Sequence, residues 1–167
     1  MAITKLLVVV DNSLASMRAV AYVAQTLGGR RGFRICLAHT LPSPPAGMME
    51  FAGAKGPGKE EWLEARLRAS RHLWASTAKR KASASLDHAY AELRRAGFSR
   101  GEIEVQFCVP SDRKNAPKEI LTLAREHGCR TVVVGRRSLS WLREFLQTNP
   151  ADELVRLGSG FTTWVVK

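Results

Sequence analysis

The residues with the most chemistry to offer lie in the stretch TVVVGRRSLSWLREFLQTN, Thr131–Asn149. Thr131–Val134 is a β-branched run that stops at Gly135, the pattern of a buried strand cut short. Arg136, Arg137 and Ser138 follow at once, and after Leu139–Gln147 comes Thr148-Asn149-Pro150, which opens a short helix. A strand end and a helix start placed this way can hold the phosphates of a nucleotide through backbone N–H groups. Glycines normally serve such a loop, because glycine tolerates φ > 0 and lets the backbone approach the anion closely. Ser138 and Thr148 weaken both properties, and Pro150 has no N–H to donate. Asp152 and Glu153, in the first helical turn, suit the helix dipole but repel an incoming phosphate unless they point away. Against this, Arg136, Arg137 and Arg143 supply positive charge, and Ser138, Thr148 and Asn149 keep hydrogen-bonding side chains. Arginines can grip an anion by paired contacts where glycines are missing. The plain alternative for Arg136 and Arg137 is solvated surface.

Asp11 ends the Val-rich run Leu6–Val10. Taken alone it is a helix-capping or turn residue ahead of Ser13. His39, His72, His88 and His127 show no HxxxH spacing, so no metal site is expected. His39 ends a predicted strand, where a structural role is the better reading. There is no GxSxG elbow, no GxxxxGK[ST] loop and no cysteine beside an evident base in the sequence. No catalytic residue is assigned and no efficient enzyme is expected, with slow nucleotide hydrolysis left open. Cys36, Cys108 and Cys129 are odd in number and widely spaced. They read as buried reduced thiols of a cytoplasmic protein, and not as disulfides or metal ligands.

The elements that must position these residues alternate between strand and helix. Ile3–Val10 is a first strand. Ala19, Val20, Val23, Ala24 and Leu27 recur at helical spacing, and Gly28-Gly29 stops that helix. Arg34–Leu41 is a second strand. Ser43–Gly58, rich in Pro and Gly, is a loop expected to be mobile. Lys59–Ala96 is a long helical region. It carries one stripe at Leu86, Ala89, Tyr90 and Leu93 and a looser one at Trp62, Ala65, Ala69 and Leu73. Lys79-Arg80-Lys81 lies between the stripes. Successive residues turn about 100° on a helix, so these three form a solvated band and not a binding ridge. Glu102–Val109 is a third strand, Pro117 opens a helix closed by Gly128, and Thr131–Val134 is a fourth strand. Pro150–Leu157 is a short helix, and Phe161–Val166 a last strand. Such alternation gives a parallel sheet with helices on both faces. Ligands of such sheets sit at the carboxyl ends of the strands, which makes Asp11 and Gly135 candidates for one crevice.

The totals bound the function classes. The chain has 167 residues, 45% of them hydrophobic and 25% charged, which fits a single globular domain over 1–167. No apolar run approaches the roughly 18–20 residues of a membrane span. Leu6–Val10 lacks the pattern of a signal peptide, which argues against export. The net charge of +11, from 26 basic and 15 acidic residues, would suit nucleic acid, an anionic surface or small acidic ligands. The excess is spread along the chain, so a nucleic-acid binder is kept only as an alternative. Trp62, Trp74, Trp141 and Trp164 read as core or interface residues. Trp164, in a terminal β-branched strand with Phe161 at its start, is the best interface candidate, since an edge strand invites pairing.

The chain resembles the universal stress protein family along nearly its whole length. The matching pieces are KLLVVVD, CLAHTL, PKEILTLAREHGCRTVVVGRRS and ADELVRLGSGFTTWVVK, in the family's order and spacing. The resemblance implies a Rossmann-like, open five-stranded parallel sheet of order 3-2-1-4-5 and a homodimer joined through the last strand. It implies a stress-response or regulatory role. Some members bind ATP and others do not. The binders carry a strand-end glycine, a second glycine three residues on, then nine residues and a glycine followed by Ser or Thr. Here these positions are Gly135, Ser138, Thr148 and Asn149, so the spacing is kept and one glycine of three remains. The match places Asp11 against the nucleoside and Val9 and Thr40 in the base pocket. The expectation is a regulatory protein without tight ATP binding. An adenine-nucleotide binder with a modified loop, or a site for another small anion, is the alternative.

Overall fold

The computed structural model describes residues 3–45, 48, 58–111, 113–139 and 149–167. Five strands form one parallel sheet of order β3-β2-β1-β4-β5: β1 Thr4–Val10, β2 Phe33–Thr40, β3 Ile103–Cys108, β4 Thr131–Gly135 and β5 Thr162–Val166. The helices are α1 Leu14–Leu27, α2 Lys59–Arg95, α3 Ala116–Glu126 and α4 Pro150–Leu157. The expected elements and the expected strand order are present.

β1 is the middle strand, and its run LLVVV is apolar on both sides because both sides are covered. Side chains alternate across a strand. Leu6, Val8 and Val10 therefore pack with Ala19, Val20, Val23 and Leu27 of α1 and Leu86, Ala89 and Leu93 of α2. Leu7 and Val9 pack on the opposite face with Ile120, Leu121 and Ala124 of α3 and Ala151 and Leu154 of α4. Each face buries a continuous apolar layer, at roughly 1.5–3 kcal/mol for each fully buried Val, Leu or Ile.

The two stripes of α2 have different fates. Leu86, Ala89 and Leu93 are buried, whereas Trp62 and Leu73 stay 61% and 69% exposed. The difference between the two stripes has a geometric reason. A helix of 37 residues is about 55 Å long, while the seven residues of β1 span about 23 Å. The first turns of α2 run past the end of the sheet. The Lys79-Arg80-Lys81 band splits as expected: Lys79 lies over the Phe107 ring at 5.2 Å, and Lys81 lines a separate hollow beside His39. Most of the predicted loop 43–58 lies outside the described residues. No helix among the described residues is long and apolar enough to cross a membrane.

Candidate ligand-binding site

The chain order reverses between β1 and β4, which is where an open α/β sheet leaves a crevice at its carboxyl edge. Asp11 follows β1 and Gly135 ends β4, and the structure brings them together. The Leu139 N–H donates to Asp11 Oδ2 at 2.6 Å. Asp11 Oδ1 accepts from the Ser13 N–H at 2.9 Å and from the Ser13 hydroxyl. Ser13 in turn caps α1, its Oγ accepting from the Ser16 N–H at 3.2 Å. Both carboxylate oxygens of Asp11 are thus engaged within the protein, and the residue is buried. The turn-and-cap reading of Asp11 holds, and Asp11 also ties down the loop after β4.

That loop is set by its glycine. A Cβ on Gly135 would lie 2.2 Å from the Ala15 carbonyl oxygen and 2.6 Å from Ser138 Oγ. Only glycine lets the first turn of α1 rest on the end of β4. The Arg136 N–H then donates to the Val166 carbonyl at 2.7 Å, and the Ser138 N–H closes a turn onto the Gly135 carbonyl at 2.9 Å. The left-handed residue is Leu139, at φ 58°, and it is the only non-glycine with positive φ among the described residues. The sequence argument put the demand for φ > 0 at Ser138; the structure puts it one residue later. A leucine held there costs about 1–2 kcal/mol. Full burial in the cluster of Val9, Val134, Ala151 and Leu154, and the bond to Asp11, offset that cost.

The other predicted site residues fall on two sides of this loop. Val9 and Thr40 are buried on the α3/α4 face of the sheet, and Ser138 is buried in the turn after β4. The hydroxyls of Thr40 and Ser138 have no hydrogen-bond partner among the described residues, an arrangement that is uncommon for buried polar groups. Asn149 caps α4, with Oδ1 accepting from the Ala151 N–H at 3.0 Å. One of the few donors at that helix start is therefore already used, and Pro150 contributes none. Thr148 and Arg143 lie outside the described residues.

Arg136 and Arg137 are exposed and turn to the α1 side. With Ala15, Arg18, Val166 and Lys167 they line a cleft of about 470 Å³. Three arginines and a lysine are among the described residues that line this space, and none of them carries an acidic side chain. The sequence reading missed Leu139, Arg18 and Lys167. An apolar residue inside the polar run RRSLS was the one available sign for Leu139. Nothing in sequence joins Arg18 or Lys167 to the loop. His39 lies on the α1/α2 side, 6.4 Å from the Phe107 ring, with both ring nitrogens unpartnered. Burial pushes its pKa below the ordinary value, partly opposed by the Asp11 carboxylate, so it is held neutral.

A doubly wound parallel sheet whose chain order reverses between β1 and β4 defines the class: an open, Rossmann-like α/β domain. The universal stress protein family model matches residues 2–166, and the chain belongs to that family. No curated protein matches it significantly. Among solved structures, a universal stress family protein from Burkholderia pseudomallei superposes with a TM-score of 0.59 at 16% identity, covering 98% of this chain and 95% of that one. A universal stress protein in complex with cAMP gives 0.60 at 19%, covering 99% and 98%. The Archaeoglobus fulgidus universal stress protein in complex with dAMP gives 0.56 at 18%, covering 100% of both chains. At these identities the likeness concerns the fold.

Proposed function

We propose that this universal stress-type protein is regulatory and not catalytic, and that it does not bind ATP tightly. The observation that carries this reading is the engagement of Asp11. Its carboxylate holds the Leu139 N–H and Ser13, and Leu139 occupies the buried layer beside Val9. A nucleoside reaching for Asp11 must break those bonds and expel a buried leucine. Losing the leucine's burial alone costs about 1.5–3 kcal/mol, some ten- to hundredfold in affinity. The start of α4 supports the same reading, since Asn149 uses the Ala151 donor that a phosphate would need. The anion that the arginines suit is a small phosphate-bearing ligand in the cleft of Arg18, Arg136, Arg137 and Lys167. Such a ligand would bridge α1, the β4 loop and the end of β5, and so bias the edge strand through which two copies pair.

A second reading, an adenine-nucleotide binder with a rearranged loop, is favoured by the unpartnered hydroxyls of Thr40 and Ser138 and by the cAMP and dAMP complexes of similar folds. Calorimetry separates the two. Titration of magnesium ATP into the protein should give no saturable heat at micromolar ligand, and mass spectrometry of denatured protein should release no nucleotide. Copurifying nucleotide would establish the second reading. For the arginine cleft, pyrophosphate should bind wild-type protein and lose at least tenfold in affinity in Arg137→Glu.

A further inference from the structure

Far from the crevice, near the amino-terminal edge of the sheet, three side chains of metal-binding type converge, with a cysteine beside them. Cys36 on β2 stands directly opposite Glu104 on β3 in the strand register. His127 closes α3, and Cys129 precedes β4. One ligand atom from each of Cys36, Glu104 and His127 lies within 4.8 Å of the other two. His127 Nδ1 is 2.9 Å from Glu104 Oε1. The Cys129 thiol lies beside this group, donating to the His127 carbonyl at 3.9 Å. These residues come from three separate elements and are scattered in sequence, which is why spacing alone argued against a metal. No HxxxH or CxxC pattern is needed when the sheet does the gathering.

The geometry points to a divalent transition-metal site of zinc type, with Cys36, His127 and Glu104 as its ligands and the neighbouring Cys129 thiol available as a fourth. Two sulfurs, an imidazole and a carboxylate oxygen are a donor set that suits tetrahedral zinc. The charges balance as well. Two thiolates and a carboxylate around a dication leave one negative charge, and Lys5, whose ammonium donates to the His127 carbonyl at 3.3 Å, lies alongside to neutralise it. The carboxylate is also held by Gln106, whose Nε2 donates to the same oxygen, Glu104 Oε1, at 2.8 Å, the kind of outer support that metal ligands use. A hollow of about 60 Å³ lined by Lys5, Arg34, Cys36, Glu102 and Glu104 gives an entry path. Once bound, the ion would pin β2, β3 and the α3–β4 connection together, distant from the ligand crevice.

Cobalt(II) is the direct probe. Protein stripped with a chelator and kept reduced should take up one Co²⁺ per chain. Thiolate-to-cobalt charge transfer and the strong visible bands of a four-coordinate site should appear, and Zn²⁺ should abolish them. His127→Gln and Cys129→Ser should each weaken uptake by at least about tenfold, with far-ultraviolet circular dichroism checking that they fold. If the folded wild-type protein shows no charge-transfer band, the proposal is wrong, whatever the variants do. A band that persists unchanged in both folded variants would overturn it equally.

Discussion

At the scale of single residues, Asp11 is the pivot. It was legible in the sequence as an acidic residue at a strand end, and both of its readings drew on that position. What the sequence did not carry is the partner, because Leu139 meets Asp11 only after the sheet has set β4 beside β1. Asp11→Ala should leave the buried Leu139 N–H unsatisfied and cost about 1–3 kcal/mol, read as a lower urea midpoint at unchanged m-value. A neutral result would mean that the loop is held by leucine burial alone. His39 supplies a pH test. Its folded-state pKa lies below the ordinary value of 6.5, chiefly through burial. Below about 6.5 the unfolded chain therefore takes up a proton that the folded protein refuses, and stability falls with pH until His39's own lowered pKa is reached. His39→Leu should flatten the stability profile between pH 7 and 5. An equally steep decline in the variant would remove His39 from the account.

At the scale of elements, the strands were the easiest to read and the reason is physical. Leu6–Val10 and Thr131–Val134 are apolar without alternation because helices cover both faces. The short helix α4 was equally plain, since Asn149-Pro150 opens it and Gly158 follows it. The two halves of α2 differ because helical periodicity says which residues share a face and not whether anything lies opposite. Trp62 and Leu73 keep the period and remain exposed. The phosphate loop was legible in spacing but not in backbone: a residue type limits φ, and only packing chose Leu139 over Ser138 for the left-handed position. Asn149→Ala should cost about 1 kcal/mol through loss of the α4 cap, measured as a fall in Tm. An unchanged Tm would show that Pro150 and burial of Leu154 hold the helix without it.

At the scale of the molecule, β5 is an outer strand with β4 as its sole partner in the sheet. The Thr162 N–H and the Val166 carbonyl face inward, to Arg130 and Arg136. Alternation along the strand then directs the Thr163 and Val165 N–H groups outward, where a second copy can pair. Trp164 contributes less to that surface than its sequence position suggested, because it packs edge-on against Tyr22 at 6.0 Å and joins the core. Light scattering should give the mass of a homodimer, and Val165→Pro, which removes an outward donor, should give a monomer with the same circular dichroism. A monomeric wild-type protein would sink the pairing. The central claim, that Leu139 and Asp11 close the crevice to ATP, meets its most direct test in calorimetry with magnesium ATP. The account predicts no saturable binding by the wild-type protein at micromolar nucleotide. Micromolar binding with a stoichiometry near one per chain would contradict it.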